Sequence, residues 1–210
     1  MSLTITAPPD GLALDLEALK SDLGITTNDD DERLTRLIER AAAYVEKDLD
    51  VALLTTEYLW ALAGFGTARG EIDDFWFDPI ASASRCSPIL SVPRAPLVSV
   101  QSVKYYDDAG VLQTISSSNY QVDIRSKPGR IAPVYTYTWP TPGRRLDPVE
   151  IAFTAGYGDS SDAVPADLKG AISMLVAHWN ENREAFALGI MTSVPLGYDE
   201  LVQPFKHWSR

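Results

Sequence analysis

The sequence predicts an α+β protein. It is read as a small helical bundle, two N-terminal helices plus one long C-terminal helix, with an inserted antiparallel β domain and a C-terminal tail. Three observations predict this. Apolar residues recur at helical spacing in the first and last parts of the chain. They alternate at strand spacing in the middle, and turn signals cut that middle into short pieces. The expected boundaries are 12–51 for the N-terminal helical part of the core and 52–162 for the β-rich insertion. Residues 163–187 hold the helix that completes the core, and 188–210 an extended tail.

The first helix rests on Leu16, Leu19 and Leu23, at i, i+3 and i+7. Asp15 is placed to cap its start, because a carboxylate accepts from the unpaired amides of the first turn. Gly24 is placed to end it, since it enters the left-handed region without a Cβ penalty. Asn28-Asp29-Asp30-Asp31-Glu32 opens a longer helix, whose apolar positions Leu34, Leu37, Ile38, Ala41, Ala42, Val45 and Leu49 keep a period near 3.6. Its early carboxylates suit the positive end of the helix dipole, and Asp29, Asp30 and Asp31 are read as caps. Consecutive carboxylates diverge, whereas an EF-hand loop needs alternate spacing and a central glycine. Ala41-Ala42-Ala43 allows close approach of another helix.

The middle block predicts strands at Thr55–Leu62, Leu97–Tyr106, Val111–Ile115, Tyr120–Ile124, Arg130–Tyr137 and Val149–Thr154. Alternation in Leu97–Tyr106 changes phase near Gln101-Ser102, which marks a bulge or a change of partner. Asp107-Asp108-Ala109-Gly110 and Pro128-Gly129 are turn signals. Residues 64–88, with Phe75-Trp76-Phe77, are an irregular excursion. In the last block Pro165 suits a first helical turn. Leu168, Ala171, Ile172, Leu175, Val176 and Trp179 form an apolar face, and the helix is expected to end near Phe186. The tail holds Val194-Pro195-Leu196-Gly197 and a short amphipathic stretch with Leu201, Val202 and Phe205. It is expected to be poorly anchored in a free subunit and to order on a partner.

The chain has 210 residues, 45% hydrophobic and 22% charged, so it can bury a core without staples. Its one cysteine, Cys86, rules out an intrachain disulfide framework and suits an inert thiol. No run of about 18 apolar residues suggests a membrane span, and no secretory signal opens the sequence. A formal net charge of −11 argues against a charge-driven nucleic-acid binder. The charge is uneven. Residues 1–50 carry 12 acidic and 5 basic side chains, a net −7, whereas 85–145 carry 8 basic and 3 acidic, a net +5. Opposite signs fit either solvated faces or complementary surfaces between subunits or partners.

The search for chemistry is negative. Phosphate-loop, zinc-protease, nucleophile-elbow and CxxC patterns are absent, and Gly64-Phe65-Gly66 and Gly156-Tyr157-Gly158 are turns rather than a dinucleotide fingerprint. His178 with Glu181 is a helical pair of the kind that can bind metal or move protons, but two groups are too few for a site. Asp73, Asp74 and Asp78 are a solvated loop cluster, and His207 lies in the tail. Trp60, Phe75, Trp76, Phe77, Tyr105, Tyr106, Tyr135, Tyr137 and Trp139 crowd the β block beside Arg125, Lys127, Arg130, Arg144 and Arg145. They suggest either a sheet core with basic loops or a single-strand nucleic-acid platform. Arg144 and Arg145, in a Pro/Gly-rich loop, are the best exposed contacts.

A series of short signatures carries a family resemblance. They run from Leu16-Glu17-Ala18-Leu19-Lys20 with Leu23-Gly24-Ile25, through Asp29–Leu34, to Val92-Pro93-Arg94-Ala95-Pro96-Leu97. Val100–Tyr106, Asp107–Gly110, Tyr120–Asp123, Gly129-Arg130-Ile131 and Trp139-Pro140 follow. Thr154–Gly158, Val164–Lys169, Ala177–Glu184 and Val194–Gly197 close the series. In this order the chain resembles the head–tail connector (adaptor) proteins of tailed bacteriophages, in their long form with an inserted β domain. Asp50 stands near where a glycine often follows the second helix of such proteins.

The resemblance implies a structural protein rather than an enzyme, with no catalytic residue, cofactor or metal. It implies a homo-oligomeric ring, commonly a dodecamer, below the portal protein at the neck of a phage, prophage or gene transfer agent particle. Such a subunit is made in the bacterial host cytoplasm, and away from its portal template either a monomer or a ring is compatible with the resemblance. The ring continues the DNA channel without sequence-specific binding, docks a stopper or tail-completion protein, and involves no membrane. Candidate partner contacts are Arg144, Arg145, Val194, Pro195, Leu201, Val202 and Phe205. Two other classes stay open: a single-stranded nucleic-acid-binding module, and a small metal-dependent hydrolase using His178 and Glu181.

Overall fold

The computed structural model describes residues 2–65, 89–181 and 196–206. Phe75–Phe77, Asp73, Asp74, Asp78, Cys86, Phe186, Val194, Pro195 and His207 lie outside the described residues. The chain divides into two compact units: a β unit of Met1–Pro8 and Thr56–Ala155, and a helical unit of Pro9–Thr55 and Gly156–Arg210.

In the β unit, five antiparallel strands run in the order β1-β2-β8-β4-β5. They are β1 (Ser2–Ala7), β2 (Thr56–Leu62), β4 (Leu97–Tyr106), β5 (Leu112–Ile115) and β8 (Val149–Ala155). A three-stranded sheet has the order β3-β7-β6, from β3 (Leu90–Ser91), β6 (Tyr120–Asp123) and β7 (Arg130–Pro133). Alternation sets the inward faces: Tyr58, Trp60 and Leu62 of β2 and Val149, Ile151 and Phe153 of β8 are buried. Tyr58 and Phe153 sit opposite each other across the strands, and their rings stack at 5.3 Å, a pairing that stabilises a sheet beyond burial alone. The phase change at Gln101-Ser102 is a register shift of β4 against β8 between Val100 and Ser102. Gln101 Nε2 there donates to Thr154 Oγ1 at 2.7 Å. The β4–β5 turn is held by Asp107, whose Oδ1 accepts from the amides of Ala109 and Val111 at 3.0 and 2.9 Å, an Asx turn. Strand β1 was not expected. It stands ahead of Pro8-Pro9 and exists because β2 pairs with it.

The helical unit contains α1 (Leu16–Leu23), α2 (Asp31–Leu49), α3 (Ala166–Glu181) and α4 (Leu196–Val202). Asp15 caps α1 by accepting from the Ala18 amide at 3.3 Å, and Gly24, at φ 67°, ends it. Asp50 takes the same left-handed role after α2, at φ 53°. Leu19, Leu34, Ile38, Ala41, Val45 and Leu49 pack with Leu168, Ala171, Ile172, Leu175 and Val176 in the core.

Two expectations are corrected here. Asp30 occupies the N-cap position of α2 but makes no side-chain capping bond; its Oδ1 takes Arg33 Nε at 3.1 Å. Asp31 instead pairs with Lys20, whose side chain is only 4% exposed, at 2.8 Å. Asn28 Oδ1 accepts from the same ammonium at 2.6 Å. A cation withdrawn from water needs these oxygens more than an exposed helix end needs a cap. Nor is the stretch after 195 simply an extended tail. It forms α4 and a 3₁₀ turn, Gln203–Phe205, with Tyr198 and Val202 buried. Seven residues cannot hold a helix alone, so this one is held by what its apolar side chains touch.

Candidate docking surfaces

In the helical unit, Tyr198 lies edge-on to Tyr44 at 5.8 Å, and its hydroxyl donates to Asp48 Oδ2 at 3.2 Å. Burial first, then the charge of Asp48, pushes the Tyr198 hydroxyl well above its ordinary pKa. Lys206 Nζ bonds Asp199 Oδ1 at 3.0 Å, which raises the pKa of Lys206. Of the expected contact residues, Val202 is therefore a core residue with no surface to offer, while Leu201 and Phe205 are half-buried and keep part of theirs. Leu201 lies over Gly170 of α3. On the same unit Tyr44 meets Trp179 edge-on at 6.4 Å, and the Arg40 guanidinium lies 4.7 Å from the Trp179 ring centre. Trp179, expected in the apolar face, is thus a half-buried rim residue under a cation.

In the β unit, Arg144, Arg145 and Leu146 are exposed on the loop before β8. The loop is nonetheless pinned. The Gly143 amide donates to Tyr106 O at 2.7 Å, and a Cβ at Gly143 would collide with the backbone carbonyl of Asp107. The Arg145 guanidinium sits 3.7 Å over the Tyr106 ring, a cation–π contact that fixes its direction. Arg144 has no ion pair or hydrogen bond among the described residues. Sequence reasoning found both arginines and counted Tyr135 among the aromatics of the β block, but missed Leu146; Tyr135 and Leu146 both stand almost wholly in solvent. An apolar residue beside paired arginines in a Pro/Gly-rich loop was the available signal.

Among the described residues the aromatic crowd, Tyr135 excepted, is mostly spent on itself. Trp60 is core. Phe65 stacks on Trp139 at 4.8 Å, with Tyr105, Tyr120 and Tyr137 around that pair. A single-strand platform needs a row of open ring faces, and these rings cover one another. The basic turn after β6 is similarly engaged. Asp123 accepts from Ser126 Oγ at 2.6 Å and Arg130 at 2.8 Å, which holds its carboxyl below the usual range. Among the described residues no cluster of three His, Cys, Asp or Glu could hold a metal, and no helix is long and apolar enough to cross a membrane. His178 stays half-buried on α3 with Glu181 exposed.

A family model for the phage gp6-like head-tail connector protein matches residues 13–74. The connector resemblance holds. It is carried by α1, α2 and β2, where the match falls. Solved structures extend the likeness over the whole chain. One is a chain described within the neck of an empty GTA particle computed with C6 symmetry. It has a TM-score of 0.74 and 25% identity, over 98% of this chain and 95% of that one. A chain of the virion of a native gene transfer agent (GTA) particle gives 0.74 and 23%, with the same coverage. One from the neck of a native GTA particle computed with C12 symmetry gives 0.71 and 23%, again over 98% and 95%. No curated protein matches the chain.

Proposed function

We propose that the chain is a structural head–tail connector, a ring subunit at the neck of a tailed phage, prophage or gene transfer agent particle. The observation that carries this is end-to-end likeness to a chain of a GTA neck, both units included, at a TM-score of 0.74. The family match over the helical elements supports it independently.

The geometry suits a part that joins other parts. A cyclic ring uses a heterologous interface, so each subunit must offer two different surfaces. The two units differ in charge and in the groups they expose: the helical unit holds 19 acidic and 9 basic side chains, a net −10, and the β unit 10 acidic and 9 basic, a net −1. The net charge of −11 lets duplex DNA pass without being gripped, because gripping works by neutralising phosphates. In finer detail, the ring is twelve-fold, sits on the portal and receives a stopper or tail-completion protein. Arg144, Arg145, Leu201, Phe205 and the Val194-Pro195 segment make those contacts. The reading requires no catalytic step, cofactor or membrane. Assembly takes place in the host cytoplasm.

Electron microscopy of particles from a producing strain with this gene deleted tests the proposal. Tailless heads are expected. Normal tailed particles would overturn it, and a single-strand binding assay across salt concentrations would then take precedence.

A further inference from the structure

The five-stranded sheet ends in two strands, β1 and β5, each paired on one side only among the described residues. Such edges present unsatisfied amides and carbonyls that invite another strand, and proteins that must stay apart guard them with charge, proline or distortion. Neither edge here carries that protection. Ser2–Ala7 contains no charged residue and no proline, and the same holds for every position from Val111 to Val122, in a chain that is 22% charged. Apolar side chains stand in solvent at both: Ile5 is 54% exposed and Val111 53%, with Leu112 beside it. A register shift follows Ile5, but Ser2–Ile5 keeps regular pairing with β2, so most of the outer edge remains straight.

We propose that these edges are the contact between neighbouring copies, the β1 edge of one subunit pairing with the β5 edge of the next. The proposal rests on the ring-forming reading above. Self-pairing of β1 with β1 would be two-fold and would close as a dimer. Pairing two different edges at opposite ends of one sheet is heterologous and propagates in one direction, as a ring requires. Strand addition also explains the composition: backbone bonds supply the contact and the flanking side chains need carry no charge.

The test uses Ile5→Lys, Leu112→Lys and the combination Ile5→Lys with Leu112→Glu, expressed as full chains in the producing strain. Both sites are exposed, so thermal melts of the purified variants should match the parent. Each lysine variant should lower the yield of tailed particles by about ten-fold or more, because the loss repeats at every interface of the ring. The Lys/Glu combination should restore it, since opposite charges then meet across each junction. A chain carrying both lysines that assembles tailed particles at parental yield would overturn the proposal. The gene deletion is scored in parallel: tailed particles without the gene would overturn the connector reading, not this one alone. Hydrogen exchange on the unmodified protein gives a second reading. Amides of Ser2–Ala7 and Leu112–Ile115 should gain protection between isolated subunit and assembled particle. No gain at either strand would overturn the pairing even if a variant failed to fold.

Discussion

The last described stretch of the helical unit turns its apolar residues inward. Tyr198 and Val202 are buried, although their helix is only seven residues long. In the β unit, apolar residues of similar size, Ile5, Tyr135 and Leu146, stand in solvent on edges and loops. Both units have a full core, so the difference is not one of folding quality. A unit that covers even its terminal segment behaves as a scaffold. A unit that leaves uncharged strand edges open carries surface still to be covered. The largest expected effects follow from this contrast. Val202→Asp places an unpaired carboxylate where no water reaches, and should cost about 3–5 kcal/mol. Leu146→Asp should stay within about 0.5 kcal/mol of the parent, as for an ordinary surface change. Denaturant melts of the two purified variants decide it. Equal midpoints would mean that α4 is not docked in solution, and the contrast between the units would fall.

Much of this contrast could be read from the residues, and the exceptions have physical causes. The α2 stripe from Leu34 to Leu49 was legible because nineteen residues repeat the helical period several times. The bulge at Gln101-Ser102 was legible because a period of two makes one extra residue visible. Strand β1 was not, since Ser2–Ala7 becomes a strand only through a partner far along the chain, and strand preference is largely packing against neighbours. Helix α4 was missed for a related reason: its stability is tertiary, through Tyr198 and Val202. Lys20 carries a signal of its own in the sequence. It lies one turn after Leu16, inside the apolar stripe of α1, where a lysine demands a carboxylate partner. For the docking surfaces, Arg144 and Arg145 were visible as charge in a turn-rich loop. Which aromatic rings would be covered depends on how the strands assemble.

A smaller effect sharpens the comparison at high pH. The helical unit is anchored in part by groups that lose their role on deprotonation. The Tyr198 hydroxyl is raised above its usual 10.0, and the ammonium of Lys20 is raised above 10.5, chiefly by its bond to Asp31. A group raised on folding gives stability that is complete below its ordinary pKa and fades as pH climbs through the folded value. Tyr198→Phe should therefore cost about 1 kcal/mol near neutrality, for the lost bond to Asp48. It should also make the fall in stability above pH 10.0 shallower. Urea midpoints measured across that range check both statements; an unchanged alkaline slope would count against them.

The smallest effect belongs to the β unit and has the opposite sign. Its turns are held by carboxylates: Asp107, lowered chiefly by its bond from Gln113, and Asp123, lowered first by Ser126 and then by Arg130. A carboxyl lowered on folding contributes stability that is present above its ordinary value, 3.8 here, and lost as pH falls through the folded value. Solvent reaches both groups, so the contribution is local and modest. Asp123→Asn keeps the shape but removes the charge that gathers Ser126 and the Arg130 guanidinium. Amide exchange at Arg125 and Ser126 should then be faster near neutrality and should lose its acceleration below pH 3.8, while α2 and α3 exchange as in the parent. If Asp123→Asn shifted the alkaline limb, or Tyr198→Phe the acid one, the two units would share their titrating anchors after all. Each variant moving only its own limb would assign acid sensitivity to the turns of the open unit, and base sensitivity to the closed one.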